Sequence, residues 1–416
     1  MKDVKKIALV GIGGFGRYHY DRIKELEPHG VVKLVAVMIL PSLLEQYSEM
    51  VQLLKNDGVR IYTSYSDMLD REKGKVDIVD LPVGIGNHCD MSIAALEAGY
   101  HVLCEKPMAG TLEECMRMKE AQERTGRLMG ICFQNIYSPS IQRMKQIAVS
   151  GDLGALKSAK TCVLWQRADA YYRRTWAGRL VFEGKIINDC PLMNATSHYL
   201  NNMLYIAGKS LREAAQPVSI YGENYRVKNI ESCDTQFLRV VTDTGARLTF
   251  ITSHSTDVRM DPMAEYLFEN GKIMWDFSGK IIAYRKTDGG YEAIEKIDGG
   301  DGNSGYFKMI YISMCDAIRN GTQLAAVANN SFQQVMCVDK SFKSGPIVNL
   351  PEEYVGETEI LKDDDCLKVG DVNRYIKGIL PLVKKMYAEE ISFYEAGCPW
   401  AVKSQAVKIS ADALVV

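Results

Sequence analysis

The chain lacks any run of apolar residues long enough to span a bilayer. A spanning helix needs ~20 of them in succession, and the longest candidate, Leu34 to Leu44, is broken by Pro41 and Ser42. It also lacks an excess of charge of either sign. Lys and Arg number 50 against 52 Asp and Glu, a formal charge of −2. Such a balance leaves no electrostatic footprint for nucleic acid, and no long basic run makes up for it. The cluster Asp363-Asp364-Asp365 is too short for a solvating acidic tail. Cysteine is present but unpatterned: the 11 residues are scattered and no pair has C-x-x-C spacing, so neither a zinc ribbon nor a dithiol redox motif is signalled. Buried, reduced thiols are expected instead. Repeats and low-complexity tracts are missing. The stretch Met1 to Lys6 is charged, and the short apolar run after it ends in a Gly-rich turn, without the longer apolar core and cleavage site of a signal peptide. These absences point to a cytoplasmic chain with neither nucleic acid nor membrane as partner.

What is present is globular. Hydrophobic residues make up 47% and charged residues 25% of 416, enough for a real core and, at ~150 residues per domain, for two or three domains. The first ~130 residues alternate strand-like and helix-like segments, the pattern of a parallel sheet with crossover helices. Strands are expected at Lys6–Val10, Val32–Ile39, Val59–Tyr62, Val76–Leu81, His101–Cys104 and Leu128–Phe133. Helices are expected at Tyr18–Leu26, Leu43–Lys55, Asp90–Ala98 with Gly99 as its cap, and Thr111–Thr125. Beyond about residue 154 hairpins take over. Phe237–Val241 and Arg247–Thr252 flank one turn, Asn270-Gly271 makes a second, and Asp288-Gly289-Gly290 a third, so a mostly antiparallel sheet is expected. Helices at Ser140–Val149, His198–Ala207 and Tyr306–Asn320 are expected to cover one of its faces, and Asp371–Tyr394 reads as a charged helical stretch. The expected division is 1–133, 134–350 and a helical tail 351–416.

Three motifs carry chemistry. Gly11-Ile12-Gly13-Gly14-Phe15-Gly16 is a G-x-G-x-x-G between the first strand and the first helix. The first glycine makes the tight turn, the second admits a pyrophosphate to the backbone, and the third lets helix and strand pack closely. The helix N-terminus then turns its amides toward phosphate. The acid expected at the end of the second strand, where it would bind the adenosine ribose, is missing from Val35-Ala36-Val37-Met38-Ile39-Leu40-Pro41-Ser42. No Arg or Lys stands there to invite a 2′-phosphate either, so NAD is favoured and NADP left open. The second motif, Cys104-Glu105-Lys106-Pro107, ends the fifth strand, at the sheet edge where α/β folds bind ligands. A partly buried Lys106 there is suited to acid or base work; a turn lysine in solvent is the plain alternative. The third is Asn188-Asp189-Cys190-Pro191-Leu192-Met193-Asn194-Ala195-Thr196-Ser197-His198. Asn194 and His198 are spaced to share a helix face, with Asn194 or Asp189 placed to orient His198 as a general base. A hydrogen-bonded core histidine is the alternative, and the spacing matches no strong metal pattern.

In this order the motifs resemble the Gfo/Idh/MocA oxidoreductases. The resemblance runs from Gly11–Gly16 through Asn87-His88 and Ala94–Ala109 to Gly151-Asp152-Leu153-Gly154, and is clear over residues 5–210. It implies an α/β protein: a Rossmann dinucleotide-binding domain plus an α/β domain with a large open-faced, mostly antiparallel sheet. That sheet often mediates homo-oligomers, here a dimer or tetramer. The substrate lies between the domains. It further implies that Lys106 is the catalytic lysine, that the Lys106–Pro107 bond is cis, and that His198 is the family histidine. Cofactor contacts fall to Gly11 through Gly16, Leu40, Pro82, Asn87, His88, Glu105, Lys106 and Gln134. Two departures stand out: relatives carry aspartate where this chain has Asn194 and Asn201, with Asp189 as a possible replacement. Aromatic faces suit sugar C–H surfaces and arginine suits hydroxyls. Trp165, Arg167, Tyr172 and Trp176 are therefore expected to meet substrate with Lys106, Asp189, Asn194 and His198. The function expected is an NAD(P)-dependent dehydrogenase of a sugar, glycoside or cyclitol. The alternatives are an enzyme that recycles tightly bound NAD and a non-catalytic binding regulator.

Overall fold

The computed structural model describes residues 3–299, 306–363 and 367–410; Met1, Lys2, Asp364, Asp365 and Cys366 of the segments discussed above lie outside them. In chain order the elements begin β1 (Lys5–Val10), α1 (Phe15–Leu26), β2 (Val32–Met38), α2 (Ser48–Asn56), β3 (Arg60–Tyr62), α3 (Tyr65–Arg71), β4 (Ile78–Leu81), α4 (Ile85–Glu97), β5 (His101–Cys104), α5 (Leu112–Thr125) and β6 (Met129–Ile131). They continue with α6 (Pro139–Ser150), β7 (Leu156–Leu164), the short pair β8 (Val181–Phe182) and β9 (Lys185–Ile186), α7 (Ser197–Ile206), β10 (Pro217–Arg226), β11 (Thr235–Thr242), β12 (Arg247–Ser253), β13 (Met260–Phe268), β14 (Gly271–Asp276), β15 (Ile281–Thr287) and β16 (Gly290–Ile297). The last are α8 (Phe307–Asn320), α9 (Phe332–Ser344), β17 (Ile347–Asn349), β18 (Val355–Glu359), β19 (Val372–Ile376), α10 (Ile379–Glu389) and β20 (Val407–Lys408).

The first compact unit runs to Tyr137 and takes up the chain again from the start of α8 to Phe332. Its parallel sheet has the order β3-β2-β1-β4-β5-β6, the doubly wound arrangement with a switch point between β1 and β4. Ile7, Leu9, Ile78 and Val102 are completely buried, as central parallel strands covered on both faces must be. Local chemistry sets the helix ends. Thr111 and Glu114 form a reciprocal capping box at α5, whose far end stops at Gly126 with φ +67°. α4 begins at Ile85 rather than Asp90, taking Asn87 and His88 into its first turn.

One assignment is corrected here. The helix at Phe307–Asn320 was expected on the antiparallel sheet, but its apolar stripe Phe307, Ile310, Tyr311, Met314 and Cys315 packs with Ile23, Leu103 and Cys132 in the core of the first unit. A stripe at helical spacing says that a face is buried, not which sheet buries it.

The second unit comprises Ser138 to Gly302 and Gln333 onward. Its ten-stranded sheet runs β16-β15-β14-β13-β7-β12-β11-β10-β17, with β20 added to β10. The expected hairpins β11–β12, β13–β14 and β15–β16 are all present, while β7, unread in the sequence, lies between β12 (parallel) and β13 (antiparallel). Side chains alternate between faces. Gly222 and Asn224 of β10 meet Ser341 of α9 on one face. On the other, Tyr225 and Phe237 meet residues near the chain's end.

That end is not a helical tail. β18 and β19 pair, and Ile379, Val383 and Met386 of α10 join Phe393 and Trp400 in a core with Cys162, Phe237 and Ile251. The rings of Phe393 and Trp400 lie edge-on to Tyr225 at 5.3 and 4.9 Å. Two ion pairs, Arg239–Glu395 and Arg247–Glu390, fasten the rim. Part of the sheet face that resemblance would leave open for a partner is thus covered by the chain itself. The three-part division 1–133, 134–350 and 351–416 therefore gives way to two units, because apolar side chains distant in sequence find the same sheet. Among the described residues no helix is long and apolar enough to cross a membrane.

Candidate functional site

In the first unit the glycine turn sits at the switch point. Gly11 (φ +92°) and Gly14 (φ +53°) occupy backbone space that side chains rarely adopt, and a Cβ on either would meet nothing within 4 Å. Gly16 is fixed differently: a Cβ there would stand 2.5 Å from the Gly11 carbonyl oxygen, so helix and strand approach as closely as backbone allows. α1 starts without a side-chain cap and without an acid in its first turn, so the positive end of its dipole is uncompensated, while the Gly16 and Arg17 amides donate to the Gly13 and Gly14 carbonyls at 2.9 and 3.2 Å. Open glycine backbone facing an uncapped helix start fits a dinucleotide pyrophosphate. Ile12 is buried, Phe15 is half-exposed with its ring stacked on Tyr18 at 5.2 Å, and Leu40 is exposed beyond β2. Pro82 follows β4, its ring 3.6 Å from where a Gly16 Cβ would be.

Sequence reasoning missed Tyr47. Its hydroxyl lies over Gly13, where any side chain would collide with it, so a phenol stands at the cradle of a chain that lacks the ribose acid. A turn separates Tyr47 from Leu40, and no spacing rule points to it.

Lys106 is half-buried beyond β5, and its bond to Pro107 is cis. Its backbone amide donates to Glu105 Oε2 at 3.1 Å. His88 is buried, its ring nitrogens 2.8 Å from the Pro107 carbonyl and 3.0 Å from that of Val83, and burial pushes its pKa down. It therefore ties α4 to the lysine turn. Gln134 is half-buried beyond β6.

Behind Lys106 lies a cluster the sequence did not announce. His19 of α1 is wholly buried, its Nδ1 3.0 Å from both Asp80 oxygens and its Nε2 3.2 Å from Glu105 Oε1. The Tyr311 hydroxyl donates to Asp80 Oδ2 at 2.7 Å. His19, Glu105 and Cys132 are metal-capable donors lying within 4.8 Å of one another. Their chemistry is that of an ion pair, since Nε2 is already engaged by Glu105 and burial keeps the Cys132 thiol protonated.

In the second unit His198 opens α7, largely buried. Asn194 lies in the run of turns before the helix, so the two do not share the helix face expected from their spacing. Asp189 is buried, its Oδ2 accepting from the Gly178 amide at 2.7 Å and its Oδ1 from Asn194 Nδ2 at 3.0 Å. These bonds brace the loop ahead of α7. The far end of α7 is held by Lys145, wholly buried, which donates to the carbonyls of Tyr205, Gly208 and Glu213; burial lowers its pKa to about 7.

Trp165 follows β7 and donates from Nε1 to Asp261 at 2.8 Å, with Arg167 5.9 Å from its ring. Tyr172, Asp189 and Asn194 come together around a small crevice of about 10 Å³, completed by Tyr171, Cys190, Pro191, Cys233 and His254. That is room for about one water-sized group, far below the ~300–1,000 Å³ of a whole small-molecule site. Trp176 is half-buried in the turn before Gly178 and does not line it. His254, also missed, places Nδ1 2.7 Å from the Trp165 carbonyl; burial first, then Arg167, pushes its pKa down to about 3.

A family model for an oxidoreductase family with an NAD-binding Rossmann fold matches residues 5–133. An inositol 2-dehydrogenase of Salmonella paratyphi B is 29% identical over 150 residues, 36% of this chain and 43% of that protein. A glucose-6-phosphate 3-dehydrogenase of Bacillus subtilis is 28% identical over 177 residues, 42% of this chain and 46% of that one. The chain thus spans less than half the length of these relatives. A solved levoglucosan dehydrogenase in complex with NADH and levoglucosan shares the fold, with TM-score 0.69 at 16% identity over 82% of this chain and 97% of that one. Residues 5–133 thus match the NAD-binding Rossmann domain of the Gfo/Idh/MocA oxidoreductase family.

Proposed function

We propose that this chain is an NAD-dependent dehydrogenase acting on a secondary alcohol of a sugar, glycoside or cyclitol, with Lys106 and His198 as its acid/base pair. The observation that carries the reading is the lysine at the carboxyl edge of the same parallel sheet whose switch point holds the open glycine cradle. Gly11 to Gly16 and the start of α1 hold the pyrophosphate, and Tyr47 offers its hydroxyl beside it. When bound, NAD supplies the hydride acceptor at its nicotinamide. His198 takes the hydroxyl proton at a ring nitrogen, and Lys106 Nζ holds a proton against the substrate oxygen. Trp165, Arg167 and Tyr172 present aromatic and cationic surface to the ring and its hydroxyls. Asp189 and Asn194 hold the loop that delivers His198.

The test is reduction of NAD, followed by nicotinamide absorbance, against a panel of inositols, hexoses and hexose phosphates. One member should reduce NAD. Lys106→Ala and His198→Ala should each then cut kcat by about 100-fold or more while NADH binding, read by fluorescence, persists. Wild-type kcat in Lys106→Ala overturns the assignment.

A further inference from the structure

Asp80 and Glu105 are carboxylates at 0% and 6% exposure, set on either side of one imidazole. Buried charges of like sign repel, and each needs a partner to remain ionised. The partner is His19, with one ring nitrogen on each acid. The groups facing it come from every neighbouring element: Asp80 from β4, Glu105 after β5, Cys132 after β6 and Tyr311 from α8. Phe15 and Phe307 close the site, their rings T-shaped to the imidazole with centroids 5.5 and 4.8 Å away. Burial alone would strip the ring of its second proton. Asp80 and Glu105 outweigh it and raise the pKa to about 9, so the ring is an imidazolium at neutral pH.

A core needs no such cluster for stability, since well-packed apolar side chains commonly replace buried ion pairs without loss. What the cluster adds is direction. Tyr311 donates to Asp80, Asp80 holds His19, His19 holds Glu105 Oε1, and Glu105 Oε2 takes the backbone amide of Lys106. We propose that His19 is a positioning residue whose ring, held between Asp80 and Glu105, locks the Glu105 carboxylate against the Lys106 amide and so orients the lysine. This rests on the proposed role of Lys106, and the experiment separates the two.

Asp80→Asn keeps the shape and one acceptor for Nδ1–H but removes a charge, so His19 should lose its proton at a lower pH. In the free protein, ring-nitrogen NMR would follow His19 while ¹³C-dimethylated lysine reports Lys106. The expected result is that the Lys106 signal shifts in Asp80→Asn with the midpoint of His19. In the assay with the sugar that reduces NAD, kcat of Asp80→Asn should fall about tenfold or more at pH 8 and recover toward pH 6, with KM for NAD unchanged. His19→Gln should show the loss without recovery. If Asp80→Asn does not fold, Tyr311→Phe, which removes only the phenolic donor, should shift the same midpoint by less. A Lys106 signal indifferent to His19, or a kcat–pH profile parallel to wild type, overturns the inference. Lys106→Ala at full rate overturns the reading of the reaction instead.

Discussion

Each unit buries a histidine beside its candidate site, His19 in the first and His254 in the second, and one is charged while the other is neutral. His19 lies between two carboxylates and its pKa is raised to about 9. His254 faces Arg167 and Lys228, and with burial they lower its pKa to about 3. Burial acts on both in the same direction, so the sign of the neighbours decides. In the first unit the ring is an ionic strut, in the second a neutral donor to one carbonyl. A histidine's exposure therefore says little about its chemistry, and a histidine's sequence context says less.

The comparison breaks most sharply at Asp80. Asp80→Ala leaves His19 with one carboxylate in a dry site, and denaturant melts should show a loss of about 3–5 kcal/mol. An effect below about 1 kcal/mol would mean that His19 is neutral after all.

The two rings also bound stability in pH. His19 has its folded pKa raised, so its contribution is full below about 6.5 and is lost as pH rises through about 9. His254 is lowered, so its contribution is full above about 6.5 and is lost as pH falls toward about 3. Each limb has a slope of at most about 1.4 kcal/mol per pH unit. His101, lowered to about 4 by burial and Arg127, adds to the acid limb. The reading is thus the difference between variant and wild type: His254→Phe should flatten the acid limb and leave the alkaline one, with Asp80→Asn doing the reverse. The smallest effect is that of His254→Phe itself at pH 7. It should cost only about 1 kcal/mol, one neutral hydrogen bond, and a loss as large as that of Asp80→Ala would erase the contrast between the units.

How legible the molecule was in its sequence follows the range of the interactions. The start of α5 at Thr111, the turn at Asn270-Gly271 and the glycines at 11, 13 and 16 are local devices, and each stands where spacing places it. α8 was readable as a helix but not as part of the first unit, because an amphipathic stripe fits any apolar face. Asp371–Tyr394 looked like one charged helix and is a strand followed by α10, because pairing with β18 outweighs local propensity. In the site, Lys106 and His198 carry motif context. Tyr47, Lys145 and His254 carry none, and Asp80 sat unremarked in an apolar strand.

The sequence by itself determined the strand–helix alternation of the first unit, the glycine cradle and the lysine after the fifth strand, since these rest on backbone conformations and periodicities that a few adjacent residues dictate. Only the tertiary structure decided which sheet α8 covers, that the chain's end closes over its own strands, and that His19 is charged. Tyr311 reaches His19 across 292 residues and Asp80 across 61. Their effect is Coulombic and acts in a dry interior, so it depends on distance in space and on excluded water, neither of which is written into spacing along the chain.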